Sequence, residues 1–148
     1  MSDQEFNAVW RLPKEKRYEY FVKRVADWRT IWCLQSPDGL LKVAGCANGR
    51  VVVPLWPHPR YAEVAATGSW IDGRPEPIGV IEWLAEEMLV WEEAGYLIGV
   101  FLTVNESEKL DGIVVSPAGL ADDLVDEMSK YEDFDKIASK LRRRGFNI

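Results

Sequence analysis

The chain has 148 residues and a net charge of −6, and 47% of its residues are apolar. This length and composition are those of one globular domain, and they exclude both a disordered chain and a small disulfide-stabilised scaffold. The longest apolar run, YLIGVFLTV, is too short to span a membrane, and the N-terminal MSDQEFNAVWRLP lacks the basic and apolar regions of a signal peptide. We therefore expect a cytoplasmic protein without a membrane segment.

The charges are unevenly distributed along the chain. Residues 1–60 carry a net charge of +4, residues 82–133 carry −12, and residues 134–148 carry +4. The acidic block would repel a phosphate backbone, so nucleic-acid binding is disfavoured and could use only the basic ends. The same block could attract a basic protein partner.

The first elements are two helices. Ser2 and Glu5 form the pattern of a capping box and predict a short helix. The segment PKEKRYEYFVKRVADW then predicts a second helix, because apolar residues recur at helical spacing opposite a basic face. The core-facing stripe of this helix is Tyr18, Phe21, Val22, Val25 and Trp28.

Three strands are predicted next, as TIWCLQ, LLKVAGC and RVVVPLW, separated by the turns SPDG and ANG. Such turns favour an antiparallel meander, in which Gln35 would pair with Leu40. Pro54 has no N–H for a ladder and predicts that the third strand ends at a sheet edge. The same register places Cys33 far from Cys46, so both cysteines are interpreted as free thiols.

The rest of the chain predicts further helices and one more strand pair. A short helix is expected from His58 to Ala66, followed by a loop, TGSWIDGRPEP. A helix over IGVIEWLAEEMLVWEEAG would bury Ile81, Leu84, Met88 and Trp91, with Gly95 at its end. The remaining elements are the strands YLIGVFLTV and GIVVS and the helices PAGLADDLVDEMSKY and FDKIASKLRRRG.

This order predicts a single α+β domain over residues 1–148. Its sheet would be mainly antiparallel, with about five strands formed by the three-stranded meander plus a hairpin, and helices would pack against it. Residues 132–148 would form a C-terminal helical extension.

Four segments resemble a family of small bacterial proteins catalogued as domain of unknown function 2750. They are RYEYFVKRVADWRTIW, VPLWPHPRYAE, GYLIGVF and GIVVSPAGLADDL, within roughly residues 3–131. The resemblance implies the family's fold and no particular activity. In element order alone, the chain is also similar to the N-terminal part of proteins named for enhanced serine sensitivity.

His58 is the only histidine and lies between two prolines. It could act as a general base, a metal ligand or a ligand-recognition group. However, the sequence offers no second histidine, no zinc-ligand spacing and no motif around a nucleophile. The sequence therefore favours a structural role at a helix start, with packing against Trp56 and Tyr61, and predicts no metal or cofactor.

Other charged groups also have structural interpretations. The paired carboxylates of the acidic helix, such as Asp122 and Asp126, are expected to form a solvated face rather than a cation site. Ser116 is expected to cap a helix, and the basic residues after Lys136 to complement a helix dipole.

Any binding surface is expected around Trp56, His58, Arg60, Tyr61, Trp70 and Asp72, because aromatic residues on rigid loops anchor interfaces. For both tryptophans, core packing beneath the loop is favoured over binding. The leading hypothesis is a non-enzymatic module that recognises a protein partner in a regulatory or immunity-type role. The alternative is a small-molecule-binding protein or weak hydrolase that uses His58, and the oligomeric state is left open.

Overall fold

The computed structural model describes residues 1–45, 48–105, 107 and 109–148. It confirms an α+β architecture in which helices pack against two sheets. In the described part of the chain, no helix combines the length and apolar character that crossing a membrane would require. The helices are α1 (Asp3–Trp10), α2 (Lys14–Trp28), α3 (Pro59–Ala65), α4 (Val80–Glu82), α5 (Met88–Glu93), α6 (Pro117–Met128) and α7 (Phe134–Arg143).

The strands of the described residues are β1 (Thr30–Gln35), β2 (Ala44–Gly45), β3 (Val51–Leu55), β4 (Arg74–Gly79), β5 (Leu97–Val104) and β6 (Leu110–Val115). Four of them form the larger sheet in the order β2-β3-β5-β6, and the smaller sheet pairs β1 with β4. Strands β3 and β5 run parallel, whereas the other neighbours are antiparallel. A parallel pair needs a long crossover, which here includes α3, β4 and the helical segment that ends at Glu93.

Only one of the two pairings in the predicted three-stranded meander forms a ladder: β2 pairs antiparallel with β3 as predicted, whereas β1 forms no ladder with β2. β1 forms its ladder with β4, and Gln35 lies opposite Arg74 at one end. The chain does return beside β1, but only as an isolated bridge between Gln35 and Leu41, one residue from the predicted partner Leu40. The short loop SPDG is therefore a real turn that does not start a long hairpin.

Proline positions explain two further differences from the sequence prediction. The predicted loop TGSWIDGRPEP contains β4, whose Pro75 and Pro77 are tolerated because β1 is its only strand neighbour in the described chain. Pro54 does not mark a sheet edge, since β3 lies between β2 and β5. On one side of β3, the pairing partner changes along the strand: Val52 pairs with β2, and Trp56 bridges to β1. Pro54 lies between these two residues, so its missing N–H falls where β3 passes from one partner to the other.

Helix α2 packs against β5, β6 and α6 and supplies much of the core. Phe21, Val22 and Val25 are buried as predicted. Tyr18 is only partly buried, and Trp28 remains 40% exposed because it lies in the last turn, at the rim of the domain. Helix α6 begins at Ser116, whose Oγ accepts the Gly119 N–H at 3.0 Å, so the predicted cap is confirmed.

The acidic helix after β4 contains a π-helical turn, Trp83–Glu87, between α4 and α5. The wider turn shifts the buried face, so Trp83 is fully buried while Met88 is only partly buried. Gly95 ends this segment with a φ of +79°, as predicted. Arg144, the residue directly after α7, pairs with Glu82 and Glu86. These ion pairs join α7 to the rest of the domain.

Candidate functional site

Helix α3 begins at His58, which is its N-cap. The ring Nδ1 accepts a hydrogen bond from the Arg60 N–H at 3.1 Å, and Pro59 occupies the first helical position. This cap uses the lone pair of Nδ1, so the neutral ring carries its proton on Nε2. His58 is therefore committed to a structural bond through one of its two nitrogens.

The surroundings of His58 favour the neutral ring. His58 is partly buried, and its ring centroid lies 5.7 Å from that of Trp28 and 6.3 Å from that of Tyr61. Burial is the main cause that lowers the pKa of His58, and the positive charges of the Met1 amino group, Arg24 and Arg60 add to it. Packing against Tyr61 matches the expectation, but the tryptophan partner is Trp28 rather than Trp56.

Tyr61 is the centre of an aromatic cluster that reaches α1. Its ring stacks on Phe6 at 4.9 Å and on Trp10 at 6.2 Å, and it lies 4.6 Å from Phe101. The side chain is fully buried, and its hydroxyl makes no hydrogen bond of normal geometry among the described residues. Burial, followed by the nearby Tyr20 hydroxyl, raises the pKa of Tyr61.

Two arginines hold carboxylates of α1 against this cluster. Arg24 pairs with Glu5 and lies 4.2 Å over the Trp28 ring. The Tyr20 hydroxyl donates to Glu5 at 2.7 Å and accepts from Arg24 Nε at 3.0 Å. The hydrogen bonds that Glu5 accepts, from Tyr20 first and then from Arg24, lower the pKa of Glu5.

Arg60 makes a similar arrangement with the other carboxylate in the first turn of α1. Its guanidinium lies 4.2 Å over the Phe6 ring and 2.7 Å from a carboxylate oxygen of Asp3. We name the residues that receive α1, which are Tyr20, Arg24, Arg60, Tyr61 and Phe101, the α1 groove. It combines two cations with aromatic faces, which suits an anionic, aromatic ligand.

The other predicted site residues lie in a different region. Trp56 is fully buried and its Nε1 donates to the Leu102 carbonyl at 2.9 Å. Trp70 is also buried, its Nε1 donates to the Val43 carbonyl at 3.1 Å, and its ring meets that of Trp56 edge to face at 5.9 Å. Both tryptophans are core residues.

Asp72 is exposed and pairs with Lys42. The six predicted residues thus separate into His58, Arg60 and Tyr61 near α1, and Trp56, Trp70 and Asp72 elsewhere. A groove of about 750 Å³ lies beside Trp70, and His58 is not among its lining residues. Its walls come from Val43, Ala44, Gly45, Ala65, Thr67, Gly68, Ser69, Trp70, Val104 and Leu110.

A buried arginine was missed by the sequence prediction. Arg17 is only 3% exposed, and it donates to the carbonyls of Leu12 at 2.7 Å, Phe101 at 3.1 Å and Asp111 at 2.8 Å. Its Nη2 also pairs with the Asp111 carboxylate at 3.1 Å. Arg17, Phe21 and Val25 are spaced four residues apart and therefore lie on the same face of α2. This position on the apolar face is the feature of the sequence that could have indicated a buried arginine.

Arg17 stabilises an unusual conformation of β5. Phe101 has a φ of +54°, and the β5–β6 register shifts between Val100 and Thr103, which is a β-bulge. The bulge brings Leu102 over Gly112, where an added Cβ would lie 2.5 Å from Leu102 Cδ2. The bulge presents the Phe101 ring to the α1 groove.

Metal-ligand side chains and the Cys33 thiol are the remaining groups considered in the sequence. The described residues include no group of three histidine, cysteine or acidic side chains that could hold a metal ion. Cys33 is buried, and burial raises the pKa of its thiol to about 11, which keeps it protonated and unreactive. Cys33 lies opposite Glu76 of β4. Cys46, which is also predicted to be a free thiol, lies outside the described residues.

A family model described as protein of unknown function (DUF2750) matches residues 18–124. The chain therefore belongs to the DUF2750 family. The match confirms the resemblance, over narrower limits than residues 3–131. No match was found among curated proteins or among solved structures. Within the matched segment lie the whole α1 groove and His58, whereas α1 itself and Arg17 precede it.

Proposed function

We propose that this DUF2750 protein is a non-enzymatic cytoplasmic binding module that recognises a protein partner with a basic surface. The observation that carries the proposal is a set of exposed carboxylates on α5, α6 and the π-helical turn that make no ion pair in the described part of the chain. These carboxylates are Glu87, Glu93, Asp122 and Asp126.

The structure links the elements that carry these charges. α5 and α6 pack against each other, and the Glu92 carboxylate accepts the Ala118 N–H at 3.0 Å. This contact places an anion at the N-terminus of α6, where the helix dipole favours it. The acidic helices therefore have a defined relative position, as a surface that meets a basic partner requires.

A binding role is also supported by how the reactive side chains are used. His58 caps α3, Ser116 caps α6, and the Cys33 thiol is buried. These three groups, which could serve as a base or a nucleophile, thus have structural roles. A regulatory or immunity-type function fits a module of this kind.

The test is affinity capture from the native lysate with two charge variants. Replacing the four carboxylates together, as E87Q/E93Q/D122N/D126N, should reduce retention of a stoichiometric basic partner by about tenfold or more, since charge pairing would be lost. The matched control E15Q/D27N/E63Q/E76Q removes the same number of exposed acids elsewhere and should retain the partner. Absence of any stoichiometric partner, or equal loss in both variants, would contradict the proposal.

The groove beside Trp70 supports a second candidate function, the binding of a small molecule. Its volume of about 750 Å³ lies within the range of roughly 300–1,000 Å³ typical of ligand pockets. A ligand there should change Trp70 fluorescence and raise the melting temperature in a metabolite screen. S69W should abolish both effects by filling the groove, whereas loss with H58A alone would place the ligand at His58.

A further inference from the structure

Helix α1 is attached to the domain through side chains. In the described chain, no backbone hydrogen bond joins α1 to another element, and only residues 11–13 connect it to α2. A helix of eight residues is unstable alone, so its contacts with the α1 groove hold it in place. Separating α1 therefore requires no strand or core helix to unfold.

The contacts of α1 have the form of a ligand in a binding site. Glu5 inserts its carboxylate between Arg24 and the Tyr20 hydroxyl, and Asp3 pairs with Arg60. Next to these charges, Phe6 stacks on Tyr61, and Val9 of α1 is also buried. Amphipathic helices bind grooves in other proteins through the same combination of spaced apolar anchors and flanking charges.

Two further observations separate the groove from its occupant. All five residues of the α1 groove lie within the family segment 18–124, whereas α1 lies outside it. In addition, α1 offers the fully buried Tyr61 hydroxyl no hydrogen bond, and the hydroxyl near it is that of Tyr20, which belongs to the groove itself. The groove therefore has a polar group that α1 does not use.

From these contacts we infer that the α1 groove is a docking site for an acidic amphipathic helix of a partner protein, and that α1 occupies it in the free chain. The partner helix carries a carboxylate directly before an aromatic residue, as Glu5 precedes Phe6, so that Arg24 and Tyr61 receive the pair together. The site is independent of the acidic surface on α5 and α6, because the signs of charge are opposite. While α1 occupies the groove, the partner helix cannot bind. The apparent affinity for the partner is therefore the intrinsic affinity multiplied by the fraction of chains in which α1 is displaced.

The test uses the full chain and a labelled peptide with the sequence of residues 1–12, MSDQEFNAVWRL. The variant F6A/W10A weakens the chain's own α1, and it should bind the peptide about tenfold or more tightly than wild type does. A control peptide with E5Q and F6A should not bind. Adding R24Q to the receiving chain should remove most of the gain, because the carboxylate loses its cation.

A milder variant covers the case in which F6A/W10A fails to fold. D3N/E5Q removes the two carboxylates without creating a cavity, and it should also bind the peptide more tightly than wild type. A folded F6A/W10A or D3N/E5Q chain that does not bind the peptide, or binds it equally with R24Q, would overturn the inference. If sedimentation shows that wild-type chains dimerise and that R24Q abolishes the dimer, the occupant is a second copy, and the inference of a separate partner is overturned.

Discussion

Arg17 and Arg24 lie on the same helix, and both contact an aromatic ring and a carboxylate, yet their surroundings differ. Arg17 is almost fully buried and donates to three backbone carbonyls as well as to Asp111. Arg24 is partly exposed and interacts with side chains, chiefly Glu5 of α1. The Phe101 and Asp111 carbonyls cannot leave without unfolding of β5 or β6, whereas Glu5 can leave with one short helix.

An arginine that binds backbone carbonyls, as Arg17 does, stabilises the fold itself. An arginine that binds a side chain of a short terminal helix, as Arg24 does, can exchange that side chain for one of a partner. Arg17 fixes the β5 bulge, and the bulge in turn presents Phe101 to the α1 groove. The β5 bulge, which Arg17 stabilises, thus supports the groove that α1 occupies. If this distinction holds, substitutions in the two regions should differ in their effect on stability.

Arg17→Met should lower the free energy of unfolding by about 3–5 kcal/mol, because the buried Phe101 carbonyl and the partly buried carbonyls of Leu12 and Asp111 lose their shared cationic donor. Arg24→Met should cost less than half of this, since Glu5 can return to water. Urea denaturation of both variants gives the comparison directly. Equal losses would show that the two arginines do not differ in the way described.

Gly112→Ala should cost about 1–3 kcal/mol, because the new methyl group would overlap Leu102 and crowd the Val100 carbonyl at 3.1 Å. The cost should fall when Leu102→Ala is present, since the overlapping side chain is then absent. A double-mutant cycle measures this coupling. Additive effects of the two changes would contradict the close approach of Leu102 over the bulge.

Phe6→Ala should cost less than Phe21→Ala, although both side chains are buried. Truncation of Phe21 leaves a cavity in the core and should cost about 3–5 kcal/mol. For Phe6 the loss cannot exceed the docking energy of α1, because the domain remains folded when α1 is displaced. We expect about 2 kcal/mol or less by urea denaturation, and a loss equal to that of Phe21→Ala would show that α1 unfolds only with the whole domain.

His58 should make stability depend on pH, because folding lowers its pKa below the ordinary value of 6.5. Its contribution is fully present above pH 6.5 and is lost as the pH falls through the lower folded-state pKa, since the unfolded chain binds the proton first. His58→Asn keeps an N-cap acceptor and removes this titration, so the variant should gain stability relative to wild type below pH 6.5. His58→Ala should cost about 1 kcal/mol above that pH through loss of the cap.

Denaturation curves across this pH range check the role of the histidine. Parallel profiles for wild type and His58→Asn would show that the charges of Met1, Arg24, Arg60 and Glu5 around the ring do not disfavour its protonation in the folded state.

Local patterns in the sequence predicted the helices better than the sheets. The stripe around Phe21, the caps at His58 and Ser116 and the end at Gly95 depend on neighbouring residues, and the structure has all four. The partner of β1 could not be found in this way. The segment RPEPIG has two prolines and no alternating pattern, and only its position at the outer side of β1 makes it a strand.

Only the part of the candidate site that lies in one continuous segment could be predicted from the sequence. Arg60 and Tyr61 follow His58 in the chain, so they were found together with it. Glu5, Arg24 and Phe101 come from α1, α2 and β5, and no local pattern indicates that they converge. Trp56 and Trp70 were considered as surface anchors because they flank loops, but long-range packing buries both.

Native-state hydrogen exchange of the unmodified chain tests most directly whether α1 is an exchangeable cover over a rigid groove. The amides of Phe6 to Trp10 should exchange about 100-fold or more faster than those of Ile98 to Val100 in β5, with no dependence on the global unfolding rate, because displacement of α1 is a local opening. Protection of α1 equal to that of β5 would show that α1 is part of the core, and the account of a groove open to a partner helix would be wrong.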